Sequence, residues 1–336
     1  MFYKQRKGGR KVLRIFSTAV STAVFFALPV VTGANLAAAQ NYPAKPIRLI
    51  VPFSPGGSSD ILARSFAQRA NLGQPVVVEN VPGATGAIGL SRAAGAPADG
   101  YTLSMAATST FVVSPHFNDK LGYDPIKDFD PVAIMAQVLS ALVVNESLQV
   151  GSVKELVALA KAKSGKLNFA SLGYGSTHHL LGEMLKKSAG IEIVHIPYKG
   201  NPQAIAALLA SEVHLFFFPA FIDAKAHLDS GKFRALGVPY SARSRAAPAV
   251  PTLSELGYDI VAPTWHMLVA PSGVPTAIVQ GLAAEVHRVF GLAEMTELLA
   301  RQGAETNTLG PDGLRKYISA EFERYRGVVR GIGLKN

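Results

Sequence analysis

The 336-residue chain contains no cysteine. That excludes disulfides, thiolate metal sites, a cysteine nucleophile and lipid attachment at an N-terminal cysteine. Charge is sparse, at 17% of residues, and the mature part has no basic run of the kind that grips nucleic acid. Enzyme signatures are missing as well: there is no G-x-S-x-G, H-E-x-x-H, G-x-x-x-x-G-K-[ST] or G-x-G-x-x-G. The eight histidines are scattered, and only His178 and His179 adjoin. Consecutive helix residues point about 100° apart, so that pair cannot chelate one metal from a regular helix. No metal, cofactor or catalytic residue is therefore expected. Repeats and low-complexity tracts are absent, and no stretch after residue 39 is long and apolar enough to span a bilayer.

What is present begins with a leader. Lys4, Arg6, Lys7, Arg10, Lys11 and Arg14 precede an apolar stretch, Ile15 to Val31, and Ala37-Ala38-Ala39 supplies an A-x-A cleavage pattern. Residues 1–39 read as a cleavable signal peptide and not a retained anchor, because the apolar stretch is short and interrupted by Ser, Thr and Pro29. The leader holds no acid and six of the 33 basic residues. Its removal leaves 27 against 23 acidic ones and lowers the net charge from +10 to +4. Most of the basicity thus belongs to the export signal, and a soluble exported product is expected.

The remaining residues alternate short apolar runs with helical periodicity. Ile47–Val51, Pro75–Glu79 and Thr102–Ala107 read as strands, and Gly83, Gly86 and Gly89 form a three-spaced series. A second set starts near Ala141–Asn145, with a capping-box pattern at Ser152-Val153-Lys154-Glu155. Strands follow at Leu167–Ser171, Ile191–Ile196, Val213–Phe218 and Phe233–Val238. The stretch Tyr240–Asp259 is expected to wrap the surface, and Trp265–Ala270 to restart a strand. Trp265 itself suits core, hinge or cleft wall. Two α/β lobes linked by crossing strands fit this order.

Two glycine-marked turns, Val51 to Asp60 and Ala170 to His178, each follow an apolar run and open a helix. Each therefore presents unpaired N–H groups at a helix start. Gly56 and Gly57 let backbone approach a ligand while Ser58 and Ser59 offer donors; Asp60 reads as a cap. Gly173, Gly175, Ser176 and Thr177 repeat that chemistry. Facing each other, the two turns would clamp a small anion. Of Phe216-Phe217-Phe218, the first two read as core, whereas Phe218 at the strand end can reach the crevice. His195 and Tyr198 read as packing residues.

At these residues the chain resembles the extracytoplasmic receptors of tripartite tricarboxylate transporters, the Bug-type solute-binding proteins. The resemblance spans residues 42–334. It is carried by the first glycine turn with Asp60, by Asp99-Gly100-Tyr101-Thr102-Leu103, by His195-Ile196-Pro197-Tyr198-Lys199-Gly200 and by Pro251-Thr252-Leu253-Ser254-Glu255. It implies a type II periplasmic-binding fold, with 40–141 plus 262–336 as one lobe and 142–261 as the other. A ligand carboxylate would sit between Phe53, Ser54, Pro55, Gly56, Gly57 and Ser58 on one side and Gly175, Ser176 and Thr177 on the other. Thr85, Gly86, Thr108 and Ser109 would complete the wall, and His179 matches a histidine common in the family, with Glu183 a turn later. Departures gather at the pocket: Phe218, followed by Pro219, stands where relatives often carry smaller or acidic residues, and His178 where they are usually small. Both are expected to touch the ligand, and the aromatic wall favours a flat or aromatic carboxylate over citrate. The implied partners are a small organic acid and separately encoded membrane transporter subunits or, alternatively, a sensor kinase. The implied state is a periplasmic monomer, not an enzyme and not a nucleic-acid binder.

Overall fold

The computed structural model describes residues 42–333 apart from 119, 219, 220, 245, 246, 302, 307 and 308. The expected leader, its cleavage pattern and Pro219 lie outside the described residues. In chain order the first elements are β1 (Ile47–Val51), α1 (Ser58–Arg69), β2 (Val76–Asn80), α2 (Ala87–Ala94), β3 (Thr102–Ala107) and β4 (Phe129–Val138). Next come β5 (Ala141–Asn145), α3 (Val153–Ala162), β6 (Asn168–Ser171), α4 (Thr177–Ala189), β7 (Val194–Pro197) and α5 (Asn201–Leu209). β8 (Leu215–Phe218), α6 (Phe221–Asp229), β9 (Phe233–Gly237) and β10 (Thr264–Pro271) follow, then α7 (Thr276–Phe290), α8 (Ala293–Arg301), β11 (Ala304–Glu305) and α9 (Pro311–Gly331).

The strands form two sheets, a six-stranded one ordered β11-β4-β10-β3-β1-β2 and a five-stranded one ordered β7-β6-β8-β5-β9. β1 pairs in parallel with both β2 and β3, as helix-covered strands do. β10 runs antiparallel between β3 and β4. Such inner strands are covered on both faces: β3, β5, β8 and β10 have no exposed residue, their polar Thr102, Ser104, Asn145, Thr264 and His266 included. All three phenylalanines of β8 are consequently fully buried. Phe216 and Phe218 share one face, with ring centroids 4.9 Å apart, while Phe217 joins the core on the other.

Local signals set the helix starts. Ser152 Oγ accepts from Glu155 N at 3.2 Å, and Glu155 Oε2 accepts in turn from Gly151 N at 2.6 Å. This is the expected capping pair, displaced by one residue at its return bond. The glycine series has a steric cause. Gly86 takes φ +94°, and a Cβ on Gly89 would stand 2.8 Å from Pro52 Cα and from Val81 O. Only glycine lets α2 lie this close to the turn after β1.

The chain passes between the sheets twice, at residues 139–140 and between β9 and β10. Tyr240 joins both passages. Its hydroxyl donates to Val138 O and accepts from Ser140 N at 3.1 Å and Thr264 N at 3.4 Å. The stretch expected to wrap the surface is therefore only partly superficial. Within it Thr252 bridges to Val238 and Leu253 is fully buried, so this stretch packs in part against the end of β9.

Candidate functional site

The first glycine turn is held from beneath by an acidic network. Asp60 Oδ2 accepts from Gly56 N at 3.0 Å and from Arg64 Nε at 2.9 Å, and Oδ1 accepts from Asn80 Nδ2 at 2.9 Å. The same Asn80 amide donates to Phe53 O at 3.1 Å. Burial works against the Asp60 charge, but the bonds from Arg64, Gly56 and Asn80 outweigh it and hold the carboxyl below its ordinary range. Asp60, expected as a cap, thus reaches back from the first turn of α1 to brace the loop. Gly57 is the N-cap of α1 and offers no capping side chain, so the N–H groups of Ser58 and Ser59 have no acceptor within the helix. Ser54, Pro55 and Gly56 are exposed at the turn's crest, Phe53 and Ser58 half-buried.

The second turn is braced without charge. Ser171 Oγ accepts from Gly173 N at 3.0 Å and lies 2.5 Å from His195 Nε2. His179 Nδ1 accepts from Gly175 N at 3.3 Å, and its ring lies 4.3 Å from that of His195. Ser176 caps α4 by accepting from His179 N, and its own N–H goes to Gly173 O at 3.2 Å. Burial, joined by nearby positive charge at Lys186, pushes His179 down to about 3 and His195 to about 4. Both rings are therefore neutral at ordinary pH. His195 supports the loop as well as packing on Phe169. Glu183 pairs with Lys186 at 3.0 Å.

These bonds redistribute the expected donors. Gly56, Gly175 and Ser176 have their N–H groups engaged inside the turns, whereas those of Ser58, Ser59 and Asp60 in α1 and of Thr177 and His178 in α4 have no acceptor within their helices. Thr177 Oγ1 and His178 Nδ1 are, in addition, buried with no hydrogen-bond partner. Such groups are costly unless something bonds them. Burial pushes His178 to about 3, and its ring lies 5.5 Å from that of Phe216.

The two turns meet. Thr85, at φ +55°, sits against the second turn: its Oγ1 is 3.2 Å from where a Cβ on Gly173 would stand. Gly86 lies against the first turn, since a Cβ there would stand 3.5 Å from the Phe53 ring edge. A π-helical turn, Ser109–Val113, packs against both the Ala84–Gly86 turn and α4. Ser114 Oγ donates to Gly175 O at 3.0 Å, and the Phe117 ring contacts those of Tyr174 and His179. Thr108 is buried, with its hydroxyl donating to Pro263 O and accepting from Trp265 N, while Ser109 is half-buried. Trp265 is core: it is buried, 6.4 Å from the Tyr317 ring.

Phe218 lies deeper than its strand-end position suggested. It has no exposed surface, with its ring against Phe216 and Phe233. Conversely, His266 meets the first turn although no local motif marks it. Its Nε2 lies 3.2 Å from Ser58 Oγ and its Nδ1 2.9 Å from Ser59 Oγ. Those contacts span 208 and 207 residues, and only the β10–β3 pairing, which sets His266 opposite Ala107, brings them about. Among the described residues no group of three or more His, Asp or Glu could hold a metal, and no helix is long and apolar enough to cross a membrane.

The chain's similarities agree in kind. A family model described as the tripartite tricarboxylate transporter family receptor matches residues 62–334. Protein BugT of Bordetella pertussis is 39% identical over 303 residues, covering 88% of this chain and 92% of that one. A solved periplasmic transporter is 38% identical with TM-score 0.82, over 88% of this chain and 99% of its own. An R. palustris protein solved with adipate is 34% identical, TM-score 0.82, over 87% and 98%. MatC of Rhodopseudomonas palustris, with bound malate, is 29% identical, TM-score 0.79, over 86% and 100%.

Proposed function

Because the chain belongs to the tripartite tricarboxylate transporter receptor family, and is therefore a binding receptor and not an enzyme, we propose that it captures a small organic carboxylate between its lobes. The lobes of this reading are 40–141 plus 262–336 and 142–261. The carboxylate is held by main-chain donors at the starts of α1 and α4, with Thr177 and His178 facing the guest. The protein works in the periplasm and hands its load to separately encoded membrane subunits. The observation that supports this reading is that the Ala84–Gly86 turn contacts both glycine turns, Thr85 against Gly173 and Gly86 against Phe53, each turn opening a helix whose first N–H groups have no internal acceptor. Relatives solved with adipate and malate support the ligand class.

The energetics suffice without a cation. A hydrogen bond to a charged carboxylate contributes roughly 1.5–3 kcal/mol, and a helix start adds about 0.3–2 kcal/mol. Three or four such bonds, less the cost of ordering, sustain roughly micromolar binding. Because the ligand touches both lobes, it favours the closed arrangement by differential affinity, and the membrane partner reads that arrangement. Calorimetry against mono-, di- and aromatic carboxylates tests the reading. Saturable one-to-one binding of at least one member is expected; silence across the panel from folded protein overturns it.

A further inference from the structure

The hydroxyls of Ser58 and Ser59 share one imidazole. His266 Nε2 lies 3.2 Å from Ser58 Oγ and Nδ1 2.9 Å from Ser59 Oγ. The residue is 5% exposed, on a fully buried strand, and burial pushes its titration down to about 4. The ring is therefore neutral at ordinary pH, with one N–H donor and one bare nitrogen acceptor. The two serines must then play opposite parts. One hydroxyl accepts from the ring, and the other donates to it.

The two tautomers differ in what they present to a guest. With the proton on Nδ1, Ser59 accepts, Ser58 gives its hydrogen to Nε2, and the Ser58 oxygen turns lone pairs outward. With the proton on Nε2, Ser58 accepts from the ring and its hydrogen is free, while buried Ser59 donates to Nδ1. An anion is repelled by the first arrangement and bonded by the second. Resting on the carboxylate reading above, we propose that His266 is a positioning residue that takes the Nε2–H tautomer when the site is occupied and so fixes the Ser58 hydroxyl as a donor to the ligand carboxylate. The order of donation is Ser59 O–H to Nδ1, Nε2–H to Ser58 Oγ, and Ser58 O–H to the carboxylate oxygen. No proton is transferred; the ring only sets direction. His266 itself need not touch the ligand.

The test is ¹⁵N NMR of the whole mature chain, uniformly ¹⁵N-labelled so that both backbone amides and imidazole nitrogens are seen, with acetate, the simplest carboxylate, titrated to saturation. Occupancy is read from the amides of Ser58 and Thr177. If those amides shift and His266 shows a protonated Nε2 with a bare Nδ1, the proposal stands. If they shift while His266 keeps its proton on Nδ1, the proposal fails and the carboxylate reading survives. If they do not shift, the titration is repeated with each member of the calorimetric panel, and silence from all of them overturns both. As a second readout, Ser58→Ala should weaken acetate binding roughly tenfold or more in the parent and hardly at all in His266→Leu. His266→Gln, whose amide N–H can stand in for Nε2–H, should restore most of the loss. Equal losses from Ser58→Ala in all three backgrounds would overturn the proposal.

Discussion

The two glycine turns reach the same backbone arrangement on different supports. The turn before α1 rests on a carboxylate, Asp60, which gathers Gly56, Arg64 and Asn80. The turn before α4 rests on neutral groups, Ser171, His179 and His195. On the carboxylate reading, what such a site needs is a pair of helix starts whose first two N–H groups stay without an internal acceptor. The chemistry behind them is free to vary, provided every inner donor finds an acceptor.

The supports should therefore fail at different pH, and this is the largest effect expected. Around the second turn, His178 and His179 are held near 3 and His195 near 4 in the folded chain, against about 6.5 when unfolded. Between those values the unfolded state binds more protons. Stability is complete above about pH 6.5 and falls on acidification, by up to about 1.4 kcal/mol per pH unit for each such histidine. Under the first turn His266, held at about 4, titrates in the same window, but as one histidine against three, while Asp60 acts with the same sign in a lower window. The contribution of its depressed carboxyl is complete above the ordinary carboxylate range and is lost only as the pH falls through that range. Urea melts at pH 7, 5.5 and 4.5 should show a steady decline, with the second turn's amides losing exchange protection before those of the first. A flat profile down to pH 4.5 would contradict neutral support of the second turn.

Asp60→Ala should come next. It strands the Gly56 N–H and the Asn80 amide, so a loss of about 2–3 kcal/mol is expected in chemical denaturation, with ligand affinity falling alongside. Tyr240→Phe is expected to cost about 1–2 kcal/mol by leaving Ser140 N and Thr264 N without their acceptor. Because both passages between the sheets lose their tie, amide exchange at Ser140 and Thr264 should quicken while the sheets themselves stay protected. The smallest effect belongs to Ser114→Ala. Removing its bond to Gly175 O should weaken binding by about 0.5–1.5 kcal/mol, a few-fold in Kd, with little change in unfolding midpoint.

The legible parts of this molecule are the local ones. Strand runs such as Thr102–Ala107, the Ser152 cap and both glycine turns are written within about ten consecutive residues, and each forms where its own residues put it. What escapes depends on distant partners. His266 meets Ser58 only through sheet order, and Tyr240 reaches residues 138 and 264 only once both passages exist. Depth at Phe218 is hidden for a related reason, because alternation identifies a face and not the layer that covers it. The glycines announce themselves as shaping residues, but which N–H groups stay free is decided by the bonds from Asp60 and His179.

The most direct test is a crystal structure of the chain with adipate, inspected at one carboxylate. Its oxygens are expected within hydrogen-bond distance, directly or through one water, of N–H groups from Ser58 or Ser59 and from Thr177 or His178 together. A carboxylate gripped by a lysine or arginine, or bound to one turn alone, would contradict capture by paired helix starts.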